Sequence, residues 1–155
     1  MSFAVFRRKT DLSLSQARQI IAGALAEGRR LDLQPLTVAV LDAGGHLVSA
    51  DREDGAGVLR LEIAIGKANA ALSIGVSSAT VGTRTQGREA FVTGVTAASQ
   101  GRFIPVPGGV LLLNSEREII GAVGISGDAP GQDEACALAG IQAAGLTPGL
   151  DAADG

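Results

Sequence analysis

A chain of 155 residues is long enough for one domain with a real hydrophobic core and cramped for two. With 46% apolar and 19% charged residues it reads as a folded globular protein, not a disordered one. A formal charge of −3, with Arg7-Arg8-Lys9 as the one dense basic run, excludes a broad nucleic-acid footprint, and that run reads as a solvated face.

The first element is a helix. Ser13 and Gln16 have the spacing of a capping box, and Leu14, Ala17, Ile20, Ile21, Ala24, Leu25 and Leu31 follow at helical spacing. Pro35 ends any continuation, and the run from Leu36 to Leu41 has the length and β-branching of a strand. Asp42-Ala-Gly-Gly45 is turn chemistry, and His46 to Arg52 is the returning strand of a hairpin.

After a loop over residues 53–57, the positions Leu61, Ala64, Ile65, Ala68, Leu72 and Gly75 mark the inner face of a second helix. Its residues Ala68, Ala70 and Ala71 are small enough to let another helix or another subunit approach closely. The pattern weakens from Ser77 to Gln100, with a helix expected over residues 88–99 around Phe91, Val92 and Val95. A second hairpin follows, with strands over residues 110–114 and 119–126 joined by the polar turn Ser115-Glu-Arg-Glu118, its return strand broken by Gly121 and Gly124. A final helix is expected over about residues 133–144, and a frayed tail from Pro148. Hairpins joined by helices imply an antiparallel sheet with helices packed on it, an α+β architecture.

Several function classes drop out. Even with its prolines counted, the longest uninterrupted apolar run, Phe103 to Leu113, is far short of the roughly 20 residues of a membrane span, so a cytoplasmic protein with no membrane partner is expected. The single Cys136 cannot make an internal disulfide and reads as a buried, inert thiol. The stretch from Gly121 to Glu134 has the look of a glycine-rich phosphate cradle, but its spacing fits neither dinucleotide nor nucleotide loops. Asp128, Asp133 and Glu134 would repel a phosphate there, and they suit the helix dipole instead.

His46 is the only histidine, which rules out a histidine metal cluster within one chain and leaves a rim residue or a ligand. Arg52, Glu53 and Asp54 sit side by side where a loop leaves the sheet, a position that either lines a site or holds a solvated ion pair. Lys67, between Gly66 and Ala68, points either to solvent or into a cleft.

Five segments in order carry a resemblance: Val38-Ala-Val-Leu-Asp-Ala-Gly-Gly-His-Leu-Val48, Arg52-Glu-Asp-Gly-Ala56, Ala64-Ile-Gly-Lys-Ala68, Pro107-Gly-Gly109, and Gly121-Ala-Val-Gly-Ile-Ser-Gly-Asp128 followed by Gln132-Asp133. Over about residues 12–146 the chain resembles the GlcG/HbpS family of small heme-binding-type proteins. The same domain forms the C-terminal part of PduO-type corrinoid adenosyltransferases. The resemblance implies a profilin-like fold, a five-stranded antiparallel sheet between helical layers, with a single domain over residues 1–146 and a flexible tail over 147–155. It also implies a homo-oligomer that binds heme or a related small molecule, and makes the glycine-rich end of the last strand an architectural turn. Two positions depart from the family's pattern: Glu53 stands where methionine is common in R-M-D-G, and Leu111 where a proline commonly follows the Gly-Gly pair.

Three readings follow. In the first, the chain is a heme or tetrapyrrole binding protein, with Arg52, Lys67 or Arg84 pairing with propionates. Glu53, Gly108 and Gly109 then line the ligand, and His46 is the axial candidate beside Cys136 and Met1. In the second, it is an isomerase or lyase acting on a small carboxylate-bearing metabolite, with Arg52 and Lys67 holding the anion and Glu53 or Asp54 as general base. In the third, it is a structural or regulatory oligomer without a ligand.

Overall fold

A computed structural model describes residues 2–151; Met1 and the end of the expected tail, 152–155, lie outside the described residues. The elements run α1 (Leu14–Arg30), β1 (Thr37–Asp42), β2 (Leu47–Arg52), α2 (Arg60–Ile74), α3 (Ser78–Arg84), α4 (Glu89–Ala98), β3 (Gly109–Leu113), β4 (Ile119–Ser126), α5 (Pro130–Ala143) and β5 (Thr147–Gly149). The strands form one antiparallel sheet in the order β2-β1-β4-β3-β5, which is the five-stranded α+β architecture expected.

Strand alternation sorts the core into two layers. On one face Val38, Val40, Val110, Leu112, Val123 and Ile125 pack with Ile20 and Ile21 of α1 and Cys136 and Ile141 of α5. On the other, Leu41, Leu111, Leu113 and Ala122 meet Ala68 and Ala71 of α2. Covered on both faces, β1, β3 and β4 read as near-continuous apolar runs, whereas β2 lies at an edge and is largely exposed.

The expected capping box starts α1: the Gln16 N–H donates to Ser13 Oγ at 3.0 Å, and the Ser13 N–H donates to Gln16 Oε1 at 2.9 Å. Gly75, at φ 86°, ends α2 in the left-handed conformation that glycine adopts without penalty.

Three expectations need correction. Gly121 and Gly124 neither break β4 nor turn the chain: they sit inside the continuous strand, paired with Asp42 and Ala39 of β1. A side chain at Gly124 would overlap the Ala64 carbonyl oxygen of α2, so this glycine exists for close helix-to-sheet approach. The tail expected from residue 147 contributes its first three residues to the sheet, where Thr147–Gly149 pair with Leu113–Leu111 of β3. Pro148 is tolerated because β5 is a sheet edge. Finally, the weak stretch before residue 88 contains α3, a seven-residue helix capped by Ser77, whose Oγ accepts from the Thr80 N–H. It is too short for periodicity to reveal.

Candidate functional site

The expected site residues fall into three separate places. The first is the end of β2. Thr37 of β1 pairs with Arg52, and the next backbone bond, from the Glu53 N–H to the Leu36 carbonyl at 2.9 Å, carries the pairing one step past the strand. Here Leu25 and Arg29 of α1, Pro35 and the chain from Ala50 to Asp54 line a polar groove of about 540 Å³. Arg52, Glu53 and Asp54 thus share one site.

Within it Glu53 is already engaged. Its Oε1 accepts from the Leu36 N–H at 2.7 Å and from Arg29 Nη2 at 3.2 Å, while Oε2 lies 3.2 Å from Arg29 Nε. Arg29 also donates to the Gln34 carbonyl at 3.1 Å. The carboxylate therefore fastens the end of α1 to the start of β1. Arg52 and Asp54 are exposed, and among the described residues the Arg52 side chain has no hydrogen bond or ion pair.

The second place gathers Lys67, Gly108 and Gly109, but not around open volume. Lys67 is buried, and its Nζ donates to the Ile125 carbonyl at 2.9 Å and to Asp133 Oδ2 at 3.0 Å. Asp133 Oδ1 accepts the Asp128 N–H at 3.1 Å. Burial pushes the Asp133 carboxyl above its ordinary value, and the Lys67 charge opposes that shift. Gly108, at φ 130°, and Gly109 close over this pair; a side chain on Gly108 would meet Lys67 Nζ at 3.0 Å. Gly109 is held by its N–H to Ser78 Oγ at 2.8 Å. Nearby, Arg60 donates to Ser126 Oγ at 3.0 Å. Arg84 joins neither place; on α3 it pairs with Asp151 at 3.1 Å.

The third place is the opposite end of β2, at the β1–β2 turn. Asp42 Oδ1 accepts the N–H groups of Gly44 and His46, both at 2.9 Å, and the His46 Nδ1 lies 3.4 Å from the same oxygen. The imidazole is 82% exposed, and Nε2 has no partner among the described residues. A cavity of about 470 Å³ lies between this turn and residues 8–12, lined by Arg8, Lys9, Leu12, Asp42, Gly44 and Val48 among others. Arg8 and Lys9, read from sequence as a solvated face, therefore border a cavity. His46 and Arg52 are separated by the length of β2, roughly 20 Å at 3.3–3.4 Å per residue, so one subunit does not bring them together.

Heme iron takes imidazole, thiolate, thioether or phenolate donors. Cys136 is fully buried and its thiol is pushed up to about 11, chiefly by burial, so it cannot serve. Among the described residues His46 alone fits, and no group of three His, Cys, Asp or Glu could hold a metal ion. No helix of the described residues is long and apolar enough to cross a membrane.

Arg29, Arg60, Ser126 and Asp133 escaped the sequence reading. Asp133 read as a dipole-complementing acid, and only the approach of α2 to α5 across the end of β4 reveals it as the partner of Lys67.

Residues 12–142 match the family model described as "Haem degrading protein HbpS-like". No curated protein matches the chain. Among solved structures, a PduOC:heme complex is 26% identical, with a TM-score of 0.78 over 88% of this chain and 96% of that one. Klebsiella pneumoniae protein ORFY is 24% identical, with a TM-score of 0.79 over 94% and 98%. A double mutant of HbpS from Streptomyces reticuli is 22% identical, with a TM-score of 0.72 over 92% and 95%.

Proposed function

The chain belongs to the HbpS-like family, and from that membership we propose that it is a small-molecule binding protein whose ligand is heme or a related tetrapyrrole. The observation that carries this reading is the likeness to PduOC in its complex with heme, which spans nearly the whole of both chains. Of the three places described, the His46 end suits such a ligand best. It offers an exposed imidazole with a free Nε2, and the same turn borders a cavity with Arg8 and Lys9 in its wall, although His46 itself is not part of that wall. His46 would hold heme through its unpartnered Nε2, and heme would supply there an iron centre able to accept an imidazole nitrogen.

The chain's own residues do the rest. The Asp42 carboxylate, fixed by two turn N–H groups, lies beside His46 Nδ1 and leaves Nε2 directed elsewhere, the arrangement by which carboxylates orient metal-binding imidazoles. Arg52 is too far along β2 to serve the same ligand. Lys67, Gly108 and Gly109 are given to packing in this reading, and Glu53 to joining α1 and β1. Assembly into a homo-oligomer is part of the same proposal.

A hemin titration followed by visible absorption tests it, with His46→Ala in parallel. A saturable Soret shift at one hemin per subunit, lost in the variant, supports the reading. Weak, unsaturable binding indifferent to His46 sinks it.

A further inference from the structure

We propose that Asp54 is a modification site: its carboxyl group cyclises onto the Gly55 backbone nitrogen, and the loop between β2 and α2 converts to isoaspartate as the protein ages. The reaction needs only this chain and water, and it stands apart from the ligand proposed above. The Gly55 nitrogen bonds to Asp54 Cγ and gives up its proton, one carboxyl oxygen leaves as water, and a five-membered succinimide forms. Water then opens the ring at either carbonyl. Opening at the backbone carbonyl leaves the chain running through the former side-chain carboxyl, longer by one methylene, with the mass of the starting protein.

Three observations single out this position. Among the described residues Asp54 is the only aspartate followed by glycine, whose nitrogen no Cβ crowds and whose dihedral angles no side chain restricts. Both residues are exposed, and a Cβ on Gly55 would meet only Pro35 Cγ, at an ordinary 3.6 Å, so packing does not hold the pair shut. Finally, the turn is closed from the Ala56 N–H to the Glu53 carbonyl at 3.1 Å, with Gly55 at φ 85°, and among the described residues neither the Gly55 N–H nor the Asp54 carboxylate has a partner. The other aspartates differ in kind. Asp42 and Asp128 accept backbone N–H groups, and Asp133 is buried against Lys67. Asp51 lies within β2, and Asp11 and Asp32 each precede a leucine.

Conversion would act on a junction that is otherwise fixed. Glu53, just before the site, is held by its N–H to the Leu36 carbonyl and by its carboxylate to the Leu36 N–H and Arg29. The added methylene is therefore taken up toward Ala56, where it breaks the turn bond and opens the loop beside the groove of about 540 Å³.

The test compares the folded protein with the free peptide of residues 53–60, which trypsin releases by cutting after Arg52 and Arg60. Both are held in warm neutral buffer, circular dichroism checks that the protein stays folded, and a digest at zero time sets the background. Isoaspartate is counted by chromatography and electron-transfer fragmentation in this peptide and in those that carry the other aspartates. The expected result is conversion at Asp54 in the folded protein within about tenfold of the free peptide's rate, and at least about tenfold ahead of the other described aspartates. Gly55→Ala should slow it by about tenfold or more. Asp54→Asn keeps the glycine and its turn, reaches the same succinimide by losing ammonia, and should accumulate isoaspartate faster than the wild type. An intact Asp54 in the folded protein while the free peptide converts would show that the turn holds the two groups apart, and overturns the inference. Isoaspartate spread evenly over the aspartates overturns it too, because conversion then owes nothing to this loop.

Discussion

The Lys67 ammonium lies 3.0 Å from the Asp133 carboxylate, and both side chains are almost wholly withdrawn from water. One belongs to α2 and the other to α5, so the pair joins the helical layers on the two faces of the sheet across the end of β4. A buried pair broken on one side leaves a stranded charge, whereas removing both charges is far less costly. Asp133→Ala is expected to destabilise the fold by about 3–5 kcal/mol in urea unfolding, and Lys67→Met/Asp133→Leu to recover most of that loss. A single variant within about 1 kcal/mol of wild type would show that the pair contributes little.

Glycine substitutions separate close packing from open surface. Ala at Gly124 must overlap the Ala64 carbonyl, and backbone cannot step aside as a side chain can. The expected loss is about 3 kcal/mol or more. Gly94 of α4 has open space where a methyl group would stand, and Gly94→Ala should stabilise by about 0.5–1 kcal/mol through helix propensity. Thermal melts of the two variants moving in the same direction would contradict this account of the glycines.

Cys136 should be chemically silent in the native protein. Burial pushes its thiol up to about 11, so the thiolate is scarce at pH 8 as well as inaccessible. Reaction with a colorimetric disulfide reagent is expected only after denaturation, at one thiol per chain. Rapid labelling of the folded protein would place the thiol elsewhere than in the core.

Glu53 is the clearest departure from the family pattern, and its role is a local one. Glu53→Gln keeps an acceptor for the Leu36 N–H and loses only the partly exposed Arg29 pair, an expected cost of about 0.5–1 kcal/mol. Glu53→Met leaves the amide without its side-chain acceptor and should cost about 1–3 kcal/mol. Equal unfolding midpoints for the two variants would remove the argument for that amide bond.

Asp128 governs part of the acid limb. Its carboxylate accepts the Gln34 N–H at 2.8 Å and the Ala129 N–H at 2.7 Å, and these bonds hold its pKa below the ordinary value, the Gln34 bond foremost. A depressed folded-state value contributes stability that is present above the unfolded value, about 3.9, and lost as the pH falls through the folded one. Asp128→Asn should therefore flatten the stability profile below about pH 4, while an unchanged acid limb would assign it to other carboxylates.

Much of this molecule is determined locally and is legible in the order of its residues. The Ser13–Gln16 cap, the apolar face of α1 and the turn beginning at Asp42 each depend on residues within a few positions of one another, so their spacing alone specifies them. The order of hairpins and helices then restricts the sheet to an antiparallel one. Only the tertiary structure decided which distant groups meet. Lys67 and Asp133 are 66 positions apart, and no local pattern distinguishes a solvated lysine from one drawn beneath Gly108 by its partner. Glu53 reads as a loop carboxylate until α1 delivers Arg29 to it, and Gly124 reads as a break until α2 rests against it. Arg8 and Lys9 become part of a cavity only because the chain brings them beside the turn that carries His46. Long-range packing sets these contacts, and it leaves no signature in the spacing of the residues that make them.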